Sequence, residues 1–374
     1  MRIESFTCWT VEADPAPDFI WRNGLPVSGS DTPPGKKPIH AIIKMETDEG
    51  IFASASRPQG DSILDLVRRR YHHFIGENPM LTEKMWNLVW EVDRIEEFDV
   101  RALGLLDILC WDVKSKKADL PIYQMLGGYD AKVPAYASTV TWPTLAEYER
   151  YIKMSRDVGF KAFKLHAWGD VRRDKELSIK LREWVGPDAD LMFDGSAGWD
   201  YIDALEVGKV LQDQGFLWYE EPMREFYLGS YRKLADKLDI PILAAETSDG
   251  AHWNVASWIE DRALDMTRVS TTFKGGFTGS MKVAHASESF GMRAQVHGSG
   301  LENAQLCAAI SNNDYYEQLV INEEQILGLA DQGDLSIIDG MLTVSDKPGL
   351  GYEFDFDELD KVALQKVHVC ERWS

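Results

Sequence analysis

Three short apolar segments, each closing on a carboxylate, recur at nearly even intervals: LMFDGSAGW (Leu191–Trp199) carries Asp194, FLWYEEPM (Phe216–Met223) carries Glu220, and PILAAET (Pro241–Thr247) carries Glu246. Between them, residues 201–215 and 227–239 repeat their apolar positions with helical spacing, so the run reads strand, helix, strand, helix, strand. In a parallel barrel every strand ends on the same face, so acids at three successive strand ends meet in one small volume. There they repel one another and raise each other's pKa, a cost that a divalent cation removes. All-oxygen ligation suits magnesium or manganese better than zinc. The competing explanation, acids that cap the next helix or pair with lysine, covers one strand end easily and three in a row poorly.

Outward from that run the alternation continues. Strands are expected at 134–138, 160–166, 190–194, 217–221, 242–246, 265–270, 292–297 and 315–319, separated by helical stretches at 145–158, 175–185, 201–214, 228–238, 253–262, 279–290 and 302–312. The fold class is therefore α/β, a (β/α)7β barrel of the TIM type over residues 131–321. Residues 1–130 read as an α+β unit with strands at 3–12, 40–47 and 51–55 and helices at 62–75, 82–91 and 99–117. Residues 322–374 add no further β/α unit and are expected to pack back on the amino-terminal unit, completing a capping domain. The connection from Asp14 to Lys37 is too long for a hairpin turn, and long loops in compact domains are commonly functional.

The chain of 374 residues has a formal charge of −21, which repels nucleic acid and anionic membranes. An anionic small-molecule substrate must be drawn in locally, by metal and lysine. Cys8, Cys110, Cys307 and Cys370 lack metal-site or disulfide-framework spacing. The opening MRIESFTCWTVEAD reads as a strand rather than a signal peptide, and no apolar run approaches the roughly 20 residues that span a bilayer. A cytoplasmic location is expected.

The second barrel strand ends Phe-Lys-Leu-His, which puts Lys164 and His166 on one face. Each disfavours the charged form of the other, an environment for a general base; the plainer alternative is a satisfied core histidine beside a solvent-reaching lysine. The seventh strand ends in His297, across the barrel from His166. The eighth carries Glu317, which burial could hold protonated as a hydrogen-bond donor to a developing oxyanion, or which could simply be salt-bridged. A metal, cationic donors and bases on both faces suit abstraction of a proton α to a carboxylate. Metal-assisted hydrolysis competes, but no HxH pair occurs in the first strand.

These motifs resemble the enolase superfamily, and within it the mandelate racemase-like branch. The likeness runs from RALGLLDILCWDVKSKKADLPIYQMLGG through GFKAFKLH, MFDGSAGW, WYEEP, AAET and FKGGFTG to the strand-seven histidine and strand-eight glutamate. It implies magnesium on Asp194, Glu220 and Glu246, a cap built from both termini, a homo-oligomer, and abstraction of a proton α to a carboxylate, in which His166 or His297 takes the proton, the other histidine protonates the departing 3-hydroxyl, and Lys164 and Glu317 stabilise the enediolate. Glu221 would point outward by strand parity.

Three positions depart from the pattern. His166 replaces the racemase's second lysine. Ser270 stands where the branch has an aspartate partner for the strand-seven histidine, which leaves His297 less readily protonated. Ser196 replaces a common asparagine. The resemblance favours dehydration of an aldonate or aldarate to a 2-keto-3-deoxy acid, with racemisation or epimerisation as runner-up and a catalytically silent metal-binding relative as the alternative of another class. Trp21, Arg22, Asn23 and Arg57, with Ser196 and Ser270, are the candidate substrate contacts.

Overall fold

The structure, a computed structural model, describes residues 1–14, 19–21, 25–27, 36–96 and 100–373. β1 (Ile3–Glu12) is followed by a short hairpin, β2 (Phe19–Trp21) and β3 (Leu25–Val27), and then by β4 (Ile39–Thr47) and β5 (Phe52–Arg57). β1 pairs antiparallel with β4, setting Cys8 opposite Ile43, and β4 turns into β5 through Gly50 at φ 75°. Alternate strand residues, Phe6 and Cys8, Ile43 and Met45, Ala53 and Ala55, share one buried core with residues of α1 (Gly60–Arg70) and α3 (Val100–Ala118). α2 (Thr82–Glu96) adds Met85 and Val89 to it. The helix expected over 62–75 stops at Arg70, and a 3₁₀ turn, Tyr71–Phe74, finishes it.

Helix α3 is buried on two sides through its middle, which explains the apolar run from Gly104 to Trp111, broken only by Asp107. Leu105, Leu106 and Leu109 enter the cap core, while Gly104, Asp107 and Trp111, spaced by three and four, meet the barrel. A Cβ on Gly104 would stand 2.8 Å from the Gly275 Cα. Asp107 accepts hydrogen bonds from the Thr278 backbone N at 2.9 Å and its hydroxyl at 2.5 Å, and Trp111 Nε1 donates to the same hydroxyl at 3.0 Å.

After α4 (Ile122–Met125) the barrel begins. Its strands are β6 (Lys132–Thr139), β7 (Ala162–His166), β8 (Asp190–Asp194), β9 (Trp218–Glu220), β10 (Ile242–Ala244), β11 (Met266–Val269), β12 (Arg293–Val296) and β13 (Tyr316–Val320). Seven helices intervene: α5 (Leu145–Asp157), α6 (Val171–Val185), α7 (Tyr201–Asp213), α8 (Leu228–Ala235), α9 (Ala251–Glu260), α10 (Gly276–Ser289) and α11 (Leu301–Ala309). The expected (β/α)7β order is what is found. Several strands are a residue or two shorter than the sequence suggested; β9 and β10 end early because Glu221 and Ala245 turn left-handed. Parallel pairing runs from β6 through β12, and β13 returns to β6. Inside, Tyr136, Ala162, Met192, Trp218, Leu243 and Met266 pack as one layer beneath the mouth.

The tail divides. α12 (Glu323–Leu327) is followed by β14 (Ile337–Ile338) and β15 (Met341–Thr343), which pairs antiparallel with β6, Leu342 opposite Val133. α13 (Phe356–Val362) and β16 (Gln365–Val369) then reach the cap, where Val367 pairs with Cys8 on β1. No helix among the described residues is long and apolar enough to cross a membrane.

Candidate active site

Register builds the centre of the mouth. β7, β8 and β9 align so that His166 lies beside Asp194 and Asp194 beside Glu220. Glu246 sits two residues beyond β10, after Ala245 at φ 74°; Glu221 follows Glu220 at φ 40°, and Ser196 and Ala197 follow Asp194 at 46° and 56°. Left-handed backbone at residues other than glycine costs of the order of 1–3 kcal/mol and survives only where surroundings enforce it. Here the loops are cross-tied: Gly195 N donates to Glu220 O at 2.8 Å, Ala197 N to Glu221 O at 2.7 Å, and Glu221 N to Leu243 O at 2.9 Å. Above them opens a cavity of about 400 Å³, lined among others by His166, Asp194, Ser196, Glu246, His297 and Glu317.

Lys164 is fully buried, its Nζ 2.8 Å from Glu317, 3.1 Å from Glu220 and 3.4 Å from Asp194. Burial alone would lower its pKa, but Glu220 and Glu317 outweigh burial and hold it well above the usual lysine range. The expected drift toward neutrality is therefore reversed, because three acids surround the ammonium. His166 Nδ1 lies 2.5 Å from the Thr139 carbonyl, to which it can only donate, so Nε2 is the atom turned to the mouth, 3.1 Å from Asp194 Oδ2. Ser196 gives Asp194 Oδ1 its backbone N–H at 2.7 Å and its hydroxyl at 3.1 Å.

Of the two forms expected for Glu317, protonated donor or salt-bridged acid, the second is found. Burial would raise its pKa, but Lys164 and Arg268 outweigh that and hold it well below the usual carboxylate range. It is an ionised acceptor rather than a protonated donor. Arg268 was not among the residues singled out from the sequence. Fully buried, it sets Nε 2.7 Å from Glu220 and 3.8 Å from Glu246, and Nη2 2.6 Å from Glu317 and 3.0 Å from the Tyr136 hydroxyl. Strand parity offers the missing signal: Met266 and Arg268 share the inward face of β11 just as Trp218 and Glu220 share that of β9.

On the opposite side, His297 Nδ1 lies 3.1 Å from Glu246 and 3.5 Å from Glu317. Ser270 instead accepts the Phe273 N–H at 3.1 Å. Burial disfavours the imidazolium, yet Glu246 outweighs it and raises the His297 pKa. The expected difficulty of protonation is thus corrected, since carboxylates from β10 and β13 replace the missing aspartate. Glu221 is also corrected: the left-handed turn after β9 breaks strand parity, so it is 5% exposed and accepts the Glu246 N–H at 3.0 Å. Burial, with Glu225 and Glu246 nearby, pushes its pKa well up.

Among the described residues, Glu220, Glu246 and His297 bring ligand atoms within 4.8 Å of one another. Asp194 Oδ2 is turned toward His166 and Lys164. Glu220 Oε1 is buried with no hydrogen bond directed at it, despite its proximity to Arg268. Such an oxygen, among more acids than cations, fits a hard divalent ion. Of the candidate substrate contacts, Arg57 is committed elsewhere, 2.9 Å from Glu302 of α11. Trp21 closes β2, whose Ile20 carbonyl accepts the Thr141 N–H at 3.1 Å next to β6. Arg22 and Asn23 lie outside the described residues.

Barrel, cap and mouth define one class, and the chain belongs to the enolase C-terminal domain-like family, whose model matches residues 147–359, more than half its length. Arabinonate dehydratase of Saccharolobus solfataricus is 28% identical over 294 residues, 74% of this chain and 77% of that protein. N-succinyl-L-Arg/Lys racemase of Bacillus cereus is 25% identical over 339 residues, 86% of this chain and 90% of that protein. A crystal structure of D-glucarate dehydratase from Agrobacterium tumefaciens, complexed with magnesium, superposes with a TM-score of 0.88 at 29% identity, covering 98% of this chain and all of that one. The enolase-superfamily resemblance read from the motifs is borne out, and the relatives include both dehydratases and racemases.

Proposed function

We propose that this chain is a magnesium-dependent enzyme that removes the proton α to the carboxylate of a sugar acid, and that it completes a dehydration, turning an aldonate or aldarate into a 2-keto-3-deoxy acid. The observation that carries this reading is the convergence of two histidines and strand-end acids on one cavity, with a buried ammonium beneath it. Glu220 and Glu246, with Asp194, would hold the magnesium, which would supply a Lewis acid for the substrate carboxylate. Relatives named as dehydratases, one of them complexed with magnesium, support both halves of the reading.

His166, oriented by Thr139, takes the α-proton on Nε2. Lys164 presents its ammonium, fixed by three carboxylates, to the negative charge that develops on the substrate. His297, on the wall opposite His166, gives a proton to the 3-hydroxyl as it leaves; the enol product then tautomerises to the keto acid. Glu317 fixes Lys164 and Arg268 rather than donating a proton itself.

Two histidines lining one cavity also suit exchange of configuration at the α-carbon, and a racemase among the relatives supports that second reading. A screen of aldonic and aldaric acids with magnesium in deuterated buffer separates them. Keto acid carrying solvent deuterium at C3, the carbon that lost the hydroxyl, is expected; deuterium at the α-carbon with inverted configuration and no keto acid would shift the assignment to racemisation. Neither signal on any acid sugar would overturn both and leave the silent binding relative.

A further inference from the structure

The cavity wall is acidic to an unusual degree for a site that must take up an anion. Asp194, Glu221, Glu225, Glu246 and Glu317 all line it, and Arg224 is the one lysine or arginine that does so among the described residues. Lys164 and Arg268 lie beneath, fully buried and engaged with the acids. Arg224 differs from both. It stands four residues after Glu220, exposed at the mouth, and no hydrogen bond or ion pair of its guanidinium is found among the described residues.

Its backbone, by contrast, is held. The Tyr231 hydroxyl, on α8, donates to the Met223 carbonyl at 2.5 Å. Tyr227 N donates to the Arg224 carbonyl at 3.1 Å, Trp199 N ties the Pro222 carbonyl at 3.2 Å, and the Thr247 hydroxyl holds the Glu225 carboxylate. The fixed backbone anchors an uncommitted guanidinium at the mouth, so a ligand has only that one side chain to order, at about 0.5–1.5 kcal/mol. A guanidinium recognises a carboxylate with two parallel hydrogen bonds, and its charge offsets the surrounding acids only where it stands.

We propose that Arg224 binds a second carboxylate, at the end of the substrate remote from the α-carbon, so that the preferred substrates are dicarboxylic sugar acids rather than monocarboxylic ones. The proposal rests on the proton-abstraction reading and adds the substrate class to it. Charge decides the direction: the metal would answer one carboxylate at the floor, and Arg224, standing between Glu221 and Glu225, is the one lysine or arginine of the lining, among the described residues, that can answer a second.

The test compares Arg224→Gln and Arg224→Lys with the wild type, all with magnesium, on an aldarate and the aldonate of matching configuration. Arg224→Gln should raise KM for the aldarate about 10- to 100-fold with kcat nearly unchanged, and leave the aldonate's constants alone. Arg224→Lys should recover part of the loss, and thermal melting should show all three proteins equally folded. Equal effects on both acids, or none on either, would overturn the proposal. If the wild type exchanges no α-proton from either acid, the functional reading fails, and calorimetric titration of the same two acids then judges Arg224 alone. Aldarate binding that weakens in Arg224→Gln supports it; binding that does not weaken, or no binding to the wild type, overturns it.

Discussion

The two histidines of the mouth stand on walls of different construction. His166 closes a strand laddered on both sides, from Ala137 beside Phe163 to Asp194 beside His166, and it is 3% exposed with its Nδ1 locked on a backbone carbonyl. His297 follows β12, which has no ladder to β13 among the described residues. There the chain is joined by Ala294 N to Asn312 O at 2.8 Å, Val296 N to the Asn313 side chain at 2.9 Å and Gly298 N to Glu317 at 2.7 Å. Its imidazole is 29% exposed, faces the carboxylates of Glu246 and Glu317, and packs against the Phe273 ring at 5.4 Å. One wall fixes a tautomer through the backbone, and the other fixes a charge through neighbouring acids. A proton acceptor needs the first arrangement and a proton donor the second.

His166→Asn should break the contrast most severely. Turnover and α-deuterium exchange should both fall about 10²- to 10⁴-fold, read by proton NMR in deuterated buffer; wild-type exchange would remove His166 from the chemistry. Arg268→Met strikes the charge network linking the walls. Leaving Glu220 and Glu317 without it should lower unfolding free energy by about 3–5 kcal/mol in chelator, measured by urea titration. The same change removes a positive charge beside the expected ligands, so magnesium should raise Tm more in the variant than in the wild type. An unchanged magnesium-induced shift would mean that Arg268 does not oppose the cation.

His297→Asn sharpens the division of labour. If His297 acts as the acid, turnover should drop while α-exchange persists for one configuration of the acid sugar; unchanged turnover would withdraw the assignment. A pH series adds a sign. Because the folded-state pKa of His297 is raised above 6.5, its contribution to stability is complete below that value. In chelator that contribution should fade as pH climbs from about 6.5 through the raised pKa, and His297→Asn should flatten this part of the stability profile. The smallest effect is expected at Arg57→Leu, which breaks the half-buried contact to Glu302 behind the His297 wall: about 1–3 kcal/mol of stability with KM unaltered. A raised KM with normal stability would return Arg57 to the substrate.

The sequence alone determined the β/α order, the strand-end placement of Asp194, Glu220 and Glu246, and the shared face of Lys164 and His166. These are properties of periodicity, which acts over a few residues and is written directly in the chain. It also held the signal for Arg268, two residues before Ser270 on the same strand face, although attention to strand ends passed over it. The ionisation states were decided only in three dimensions. Considered singly, Glu317 is open between a neutral acid and a salt-bridged one and Lys164 reads as a weakened cation; they become a charged pair once β7, β11 and β13 close around them. The turn that carries Glu221 inward is likewise tertiary, since a left-handed residue cancels strand parity and its cost is met by bonds to neighbouring loops. Electrostatic energy depends on distances between residues far apart in sequence, so the residues could be found from the chain while their charges awaited the fold.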